Sequence, residues 1–328
     1  MLVSEQHPVL MHYTDLKGLQ GIIGSDSLWA TDASFLNDSS EITHYFDTRL
    51  EVLVSSEERR FAIEQARDSA ELARMIREGG FDASVAVETR ESTAVLRRAT
   101  LSTNRPFVLS LSGPSDQRVE QSGLLSQWRG YGGDGGYALV FDTAKLESAL
   151  HREVKSHQYS GMFVGDVYYH GIVPNLQPYA TQDTAESEVT VKKGVARLLR
   201  GGTADETEGF YDAVTALSCL CKHWGFWEER EVRVVVLPAT EENTDVAAES
   251  ALPTKEIKTF LRGESEVPYI ELFAHFSDKD TNPTLPIRRV IVGPHRDSGA
   301  RAKAVRKLLA DRGYQAEVVE SEIPYLGR

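Results

Sequence analysis

Only two of the 328 residues are cysteine, Cys219 and Cys221. A C-x-C pair lies too close along one element to staple distant parts of a fold, so a disulfide framework is excluded. Two packed thiols in an apolar helical stretch, kept reduced, are expected there rather than a metal site, which would need further partners. Long hydrophobic runs are missing as well. No apolar stretch approaches membrane-spanning length, and no basic segment followed by an apolar one opens the chain. A cytoplasmic protein with no membrane partner is the expectation. Excess positive charge is also lacking: the net charge is −13. That disfavours a general polyphosphate-binding surface, and a nucleic-acid acceptor would need a local basic groove drawing on Arg97, Arg98, Arg105, Arg118 and Arg129. Internal repeats, low-complexity segments and linker-like stretches are absent, so the whole chain 1–328 reads as a single domain.

What is present suits a soluble globular protein with a substantial core: 41% hydrophobic and 26% charged residues. Pro8–Thr14 reads as a strand, and Leu16, Leu19, Ile22 and Ile23 recur at helical spacing after Thr14 or Asp15 as cap. Leu28–Thr31 is a second strand. Phe35–Glu41 is a turn, with Asn37 and Asp38 placed to cap a helix or to line a cleft. From about 42 to 104 the pattern is helical and polar, with Gly79-Gly80 as an internal stop, and is expected to form a helical layer over a sheet. Pro106–Ser112 is a strand, Gly113–Ser122 a polar loop, and Leu124–Phe141 joins a short helix to a strand across a glycine-rich turn. Those glycines precede a strand, which is not the strand–G-x-G-x-x-G–helix order of a dinucleotide fold. Helices are expected at Asp142–Leu150, Glu186–Arg200 and Thr207–His223, and strands at Phe163–Tyr169 and Pro268–Phe273. Thr240–Ser250 reads as a surface loop, and Ile287–Val319 as a strand–helix–strand unit.

The stretch Lys222–Pro238, K-H-W-G-F-W-E-E-R-E-V-R-V-V-V-L-P, stands out. Its valines suit a buried strand, with Glu229 and Glu231 at the mouth as an alternate pair sharing one side. A solvated edge is the bland reading of that pair; a carboxylate that does chemistry is the sharper one. Arg233, alternate to Glu231, is placed to keep it ionised. Trp128, Trp224 and Trp227 are expected to be packing residues, and Lys222 to meet a phosphate or a glutamate. Two further polar clusters lie at strand ends: His12-Tyr13-Thr14 and Ser110-Leu111-Ser112. A histidine for a ribose hydroxyl, serines to orient a carboxylate, and a glutamate beside the ribose are the ingredients of an NAD cleft. Breaking the nicotinamide–ribose bond passes through an oxocarbenium-like state that a carboxylate stabilises, as in glycoside hydrolysis.

The order H-Y-T, S-L-S, E-R-E-V-x-V resembles the three-motif plan of ADP-ribosyltransferases, and the H-Y-T opening with L-x-G-I-I is similar to that of DarT-type DNA-modifying enzymes. The segments H-Y-T, F-L-N-D-S-S-E, S-L-S, L-S-Q-W-R-G-Y-G, G-G-Y-A-L-V-F, W-E-E-R-E-V-R and I-V-G-P resemble the bacterial family catalogued as domain of unknown function 2971, which is placed among ADP-ribosyltransferase-like folds. The resemblance implies an α+β fold with an ADP-ribosyltransferase-like split β-sheet core, a helical insertion and a C-terminal strand–helix–strand unit. It implies NAD as substrate, no metal, and an acceptor that is a nucleic acid or a protein, as for a toxin or phage-defence effector. Carried over, Glu231 is the catalytic carboxylate and Glu229 orients the acceptor. His12 binds the ribose and the nicotinamide amide with Tyr13 and Thr14 beside it, and Ser110 and Ser112 hold the cleft. From the residues themselves, Arg129 is the candidate for a bidentate pyrophosphate contact. Leu111 in place of the middle Thr of S-T-S departs from the plan, and Glu228 leaves the register of the pair open. The alternative function is a catalytically silent NAD- or nucleotide-sensing module; a scaffold with an ionic strand edge is the third reading.

Overall fold

The computed structural model describes residues 2–36, 41–78, 81–171, 182–203, 206–239, 252–274 and 285–325. After a short helix α1 (Val3–Gln6), strand β1 (Val9–Thr14) alternates between two environments. Leu10 enters the main core, while Met11 and Tyr13 join a second cluster around Trp128. Asp15 ends the strand and caps α2 (Leu16–Ser25), accepting a hydrogen bond from the Gly18 amide at 2.8 Å. β2 (Leu28–Asp32) follows. Asn37 and Asp38, with Gly79, Gly80 and Thr240–Ser250, lie outside the described residues.

The polar helical region is there as expected: α3 (Glu41–Tyr45), a π turn at Phe46–Leu50, α4 (Glu51–Gln65), α5 (Ala70–Arg77) and α6 (Phe81–Thr103). β3 (Phe107–Ser112) returns the chain to the sheet. The segment expected to be a polar loop instead contains α7 (Gln117–Ser122), because Asp116 caps it by accepting from the Arg118 and Val119 amides at 2.8 and 3.0 Å. Gly123, at φ +74°, turns the chain into α8 (Leu125–Tyr131). A side chain at Gly123 would also collide with the Trp128 ring, 2.4 Å from a built Cβ. β4 (Tyr137–Asp142), α9 (Thr143–Ser156), β5 (Tyr159–Asp166), β6 (Tyr168–His170), α10 (Gln182–Leu198) and α11 (Phe210–Cys219) come next.

Cys221 is not helical. Leu220 closes α11, and Cys221 opens β7 (Cys221–His223), which pairs parallel with β6 through Tyr168↔Cys221, so a tertiary pairing overrides the local helical pattern. Both cysteines are buried, and neither is in a disulfide among the described residues. The chain ends in β8 (Glu231–Pro238), β9 (Lys258–Arg262), β10 (Ser265–Leu272), β11 (Ile287–Val292), the helix Ser298–Asp311 and β12 (Glu317–Glu320). β11 and β12 pair in parallel across that helix, which makes the expected strand–helix–strand unit.

The large sheet is mostly antiparallel, in the order β12-β11-β4-β1-β3-β2-β10-β9, with β8 on β3 and β5 on β8. It branches at β3. β2 holds Phe107 and Val108, whereas β1 touches the far end through one register pair, Met11↔Ser112. β1 runs its full length along β4 instead, from Val9↔Asp142 to Thr14↔Tyr137. Beside Leu109–Leu111 the ladder between β1 and β3 is therefore open. On one side of the sheet Leu10, Leu109, Leu111, Leu139, Val232 and Val234 form the main core with α2 and the last helix. Their alternates, among them Ser110, Ser112, Glu231 and Arg233, face the other side. There the helical layer closes over part of the sheet: Val108 and Val235 pack with Cys219 and Leu220, and Phe46, Leu50, Val54 and Leu96 pack with Val191, Phe210 and Val214. No described helix is long and apolar enough to cross a membrane.

Candidate functional site

The opening between β1 and β3 is a small cleft of about 70 Å³ lined by His12, Tyr13, Ser110, Ser112, Gln127, Tyr131, Glu229 and Glu231, with Met11 and Leu111. Register accounts for much of this gathering. Along β3 and β8, Ser112 stands opposite Glu231 and Ser110 opposite Arg233. Antiparallel partners share a face, so both serines and both ions point the same way.

Glu231 opens β8 and is almost wholly buried. Its Oε1 accepts from Arg233 Nε at 2.7 Å, and its Oε2 accepts from Arg233 Nη2 at 2.9 Å and Lys222 Nζ at 3.0 Å. Burial pushes the carboxyl up, but the charges of Arg233 and Lys222, with hydrogen bonds from Arg233 and Ser110, outweigh it and hold the group at about 2. The expectation that Arg233 keeps Glu231 ionised agrees with this geometry. Arg233 is itself buried and tied to the Cys219 carbonyl at 2.6 Å through Nη1, so the end of α11 fixes the guanidinium.

Glu229 departs from the simple strand picture. It ends a 3₁₀ turn, Trp224–Glu229, and Arg230 follows in the left-handed region at φ 43°, ψ 51°. The two glutamates are thus not alternate residues of one strand. They meet because the backbone turns at Arg230 and because one ammonium serves both: Lys222 Nζ donates to Glu229 Oε2 at 2.8 Å. Burial raises the Glu229 carboxyl, an effect Lys222 partly offsets. Ser112 Oγ donates to the Glu229 carbonyl at 2.6 Å, which pins the turn to β3. Tyr169 Oη accepts from the Glu231 amide at 2.8 Å and braces the other side.

His12 sits half-buried across the open ladder, with Nδ1 3.0 Å from the Ser110 carbonyl. A carbonyl only accepts, so Nδ1 carries the proton. Burial lowers the imidazole's pKa, partly offset by that bond, so the ring is neutral at pH 7 and Nε2 presents a lone pair. Tyr13 packs edge-on against Trp128, ring centroids 4.9 Å apart, and its hydroxyl accepts from the Leu124 amide at 3.0 Å.

Two expected site residues do not line the cleft. Thr14 lies beside Gly18, with its Oγ1 1.9 Å from where a Cβ there would stand, and Arg129 is exposed with its guanidinium 5.1 Å over the Tyr325 ring. Arg97 and Arg98 line a separate depression with Arg90, so they form no groove with Arg129 at the cleft. Trp128 is core, as its surroundings suggest, but Trp224 and Trp227 are 52% and 47% exposed rather than packed around the motif. Lys222 meets a glutamate, one of the two partners expected for it; that it serves both glutamates, and that Gln127 lines the cleft, escape motif reading. The first has the K-x₆-E-x-E spacing as its only signal, and Gln127 sits inside L-S-Q-W with no charge to mark it.

A family model described as "Protein of unknown function (DUF2971)" matches residues 127–234. That stretch belongs to the DUF2971 family. The DUF2971 segment carries Gln127, Tyr131, Lys222, Glu229, Glu231 and Arg233, whereas His12, Ser110 and Ser112 come from the chain before it. Comparison with curated proteins and with solved structures gave no match.

Proposed function

We propose that the protein is an NAD-dependent ADP-ribosyltransferase with an ADP-ribosyltransferase-like split sheet, and that the β1–β3 opening receives the nicotinamide ribose. The observation that carries this reading is the convergence of His12 and Tyr13, Ser110 and Ser112, and Glu229 and Glu231, from three stretches far apart in sequence, on one cleft. His12 Nε2 is free in charge and tautomer to accept from a ribose hydroxyl. Ionised Glu231 opposes the positive charge that develops at C1′ as the C1′–N bond breaks and its electron pair leaves on nicotinamide. An acceptor oxygen or nitrogen then bonds to C1′, and its proton passes to Glu229, whose raised pKa suits a base. The acceptor is a nucleic acid or a protein, consistent with a toxin or defence effector.

Purified protein incubated with NAD is expected to release nicotinamide. Glu231→Gln is expected to cut the rate by about 100-fold or more while NAD binding persists. Unchanged turnover in that variant would remove Glu231 from the mechanism. Labelled NAD in a cell extract identifies the acceptor by where the label arrives. A second reading, a silent NAD- or nucleotide-binding module, is favoured by the saturation of both Glu231 oxygens by Arg233 and Lys222. It requires a ligand-induced rise in Tm without nicotinamide release.

A further inference from the structure

Gln127 is only 5% exposed, yet among the described residues its side-chain amide makes no hydrogen bond, and it lines the cleft. The amide oxygen and nitrogen are not among the sealed, unpaired polar atoms of the described residues, so they open onto the cleft, where a ligand amide can take the place of water. Its position is built. The next residue, Trp128, is buried, packs on Tyr13 and donates Nε1–H to the Ser122 carbonyl at 3.1 Å, so α8 presents Gln127 from a fixed anchor.

The size and charge of the cleft narrow the ligand. A volume of about 70 Å³ corresponds to about two waters at liquid density, less than an aromatic ring occupies, so a nicotinamide ring would fill the cleft and project from its mouth, with the rest of a dinucleotide outside. Glu229 and Glu231 line the cleft, while Lys222 and Arg233 stand behind them. A ring bearing a carboxylate would therefore meet two carboxylates, and a cationic or neutral ring bearing a carboxamide would not. A glutamine amide offers one acceptor and two donors, the complement of a carboxamide. We propose that Gln127 is the specificity-determining residue of the cleft, pairing its side-chain amide with the carboxamide of the nicotinamide ring. This rests on the NAD reading and adds the residue that tells nicotinamide from nicotinate.

The test is calorimetric binding of NAD, nicotinic acid adenine dinucleotide and ADP-ribose to the wild-type chain, Gln127→Leu and the isosteric Gln127→Glu, with Tm as the check on folding. The wild type is expected to bind NAD about tenfold more tightly than the nicotinate form. Gln127→Leu is expected to lose that NAD advantage, Gln127→Glu to keep it because the added carboxylate repels the nicotinate, and both to bind ADP-ribose, which lacks the ring, within about twofold of wild type. A preference retained in Gln127→Leu overturns the role of Gln127 and leaves the NAD reading standing, as does an equal loss of ADP-ribose binding. Binding of none of the three by wild type overturns both.

Discussion

Lys222 and Glu231 meet through a 3.0 Å contact in a site where both side chains are almost fully buried, and the same ammonium reaches Glu229 at 2.8 Å. With Arg233 the group is two carboxylates and two cations, electrically balanced out of water. A buried network of this kind adds little net stability against an apolar replacement, but loss of one member strands a charge.

Lys222→Met is therefore expected to destabilise the fold by about 3–5 kcal/mol, and Arg233→Met by a similar amount. Urea unfolding curves measure both. The double variant Arg233→Met/Glu231→Leu is expected to recover much of the Arg233→Met loss, because it removes the stranded carboxylate together with its partner. Strict additivity of the two changes would show that the pair is not coupled.

Acid should act on the same cluster. Glu231 is held at about 2, below its ordinary 4.5, so it contributes stability above its unfolded pKa and loses it as pH falls from about 4.5 toward 2. The part lost is on the order of 3 kcal/mol. Glu229, raised by burial, takes up its proton first on the way down. Urea midpoints between pH 6 and pH 2 are expected to fall less steeply in Glu231→Gln than in wild type.

The turn before β8 stores backbone strain. Arg230 adopts φ 43°, which glycine takes without cost and a β-branched residue resists. Arg230→Gly is expected to change stability by less than about 1 kcal/mol, whereas Arg230→Val loses more than that and displaces Glu229. Thermal unfolding ranks the two, and equal Tm values would remove the strain argument.

Gly293, in the late I-V-G-P segment, permits a close approach of backbones. A Cβ there would stand 1.6 Å from the Gly135 carbonyl oxygen, and the Gly293 amide already donates to the Gly136 carbonyl at 3.0 Å. Because the obstacle is backbone rather than a side chain that can turn away, Gly293→Ala is expected to cost about 2 kcal/mol or more. A Tm within a degree of wild type would contradict that packing.

Much of the fold was legible because its signals are local. Ile287–Val292 ends in a run of three β-branched residues bounded by Gly293-Pro294, and the structure places β11 on those residues. Asp15 and Asp142 announce helix starts by a short side chain that satisfies free amides, and both do so. Misreadings fell where a distant partner decides. Cys221 leaves the helix because β6 is beside it, and Trp224 and Trp227 stay exposed because the 3₁₀ turn swings them away from the core.

The sequence alone determined that this is a mixed α+β chain with a valine strand opening on glutamate, an arginine two residues on to hold that glutamate ionised, and a histidine and two serines at other strand ends. These follow from side-chain chemistry and from periods of two and 3.6 residues. Only the tertiary structure decided that β1 leaves β3 after one register pair, opening a cleft, and that Lys222 reaches both glutamates from a separate strand. It also left Gln127 facing that cleft with no hydrogen bond to its side-chain amide among the described residues. The cleft depends on strand pairing between residues about a hundred positions apart, and the shared ammonium on the chain reversal between β7 and β8, neither of which a strand or helix period encodes.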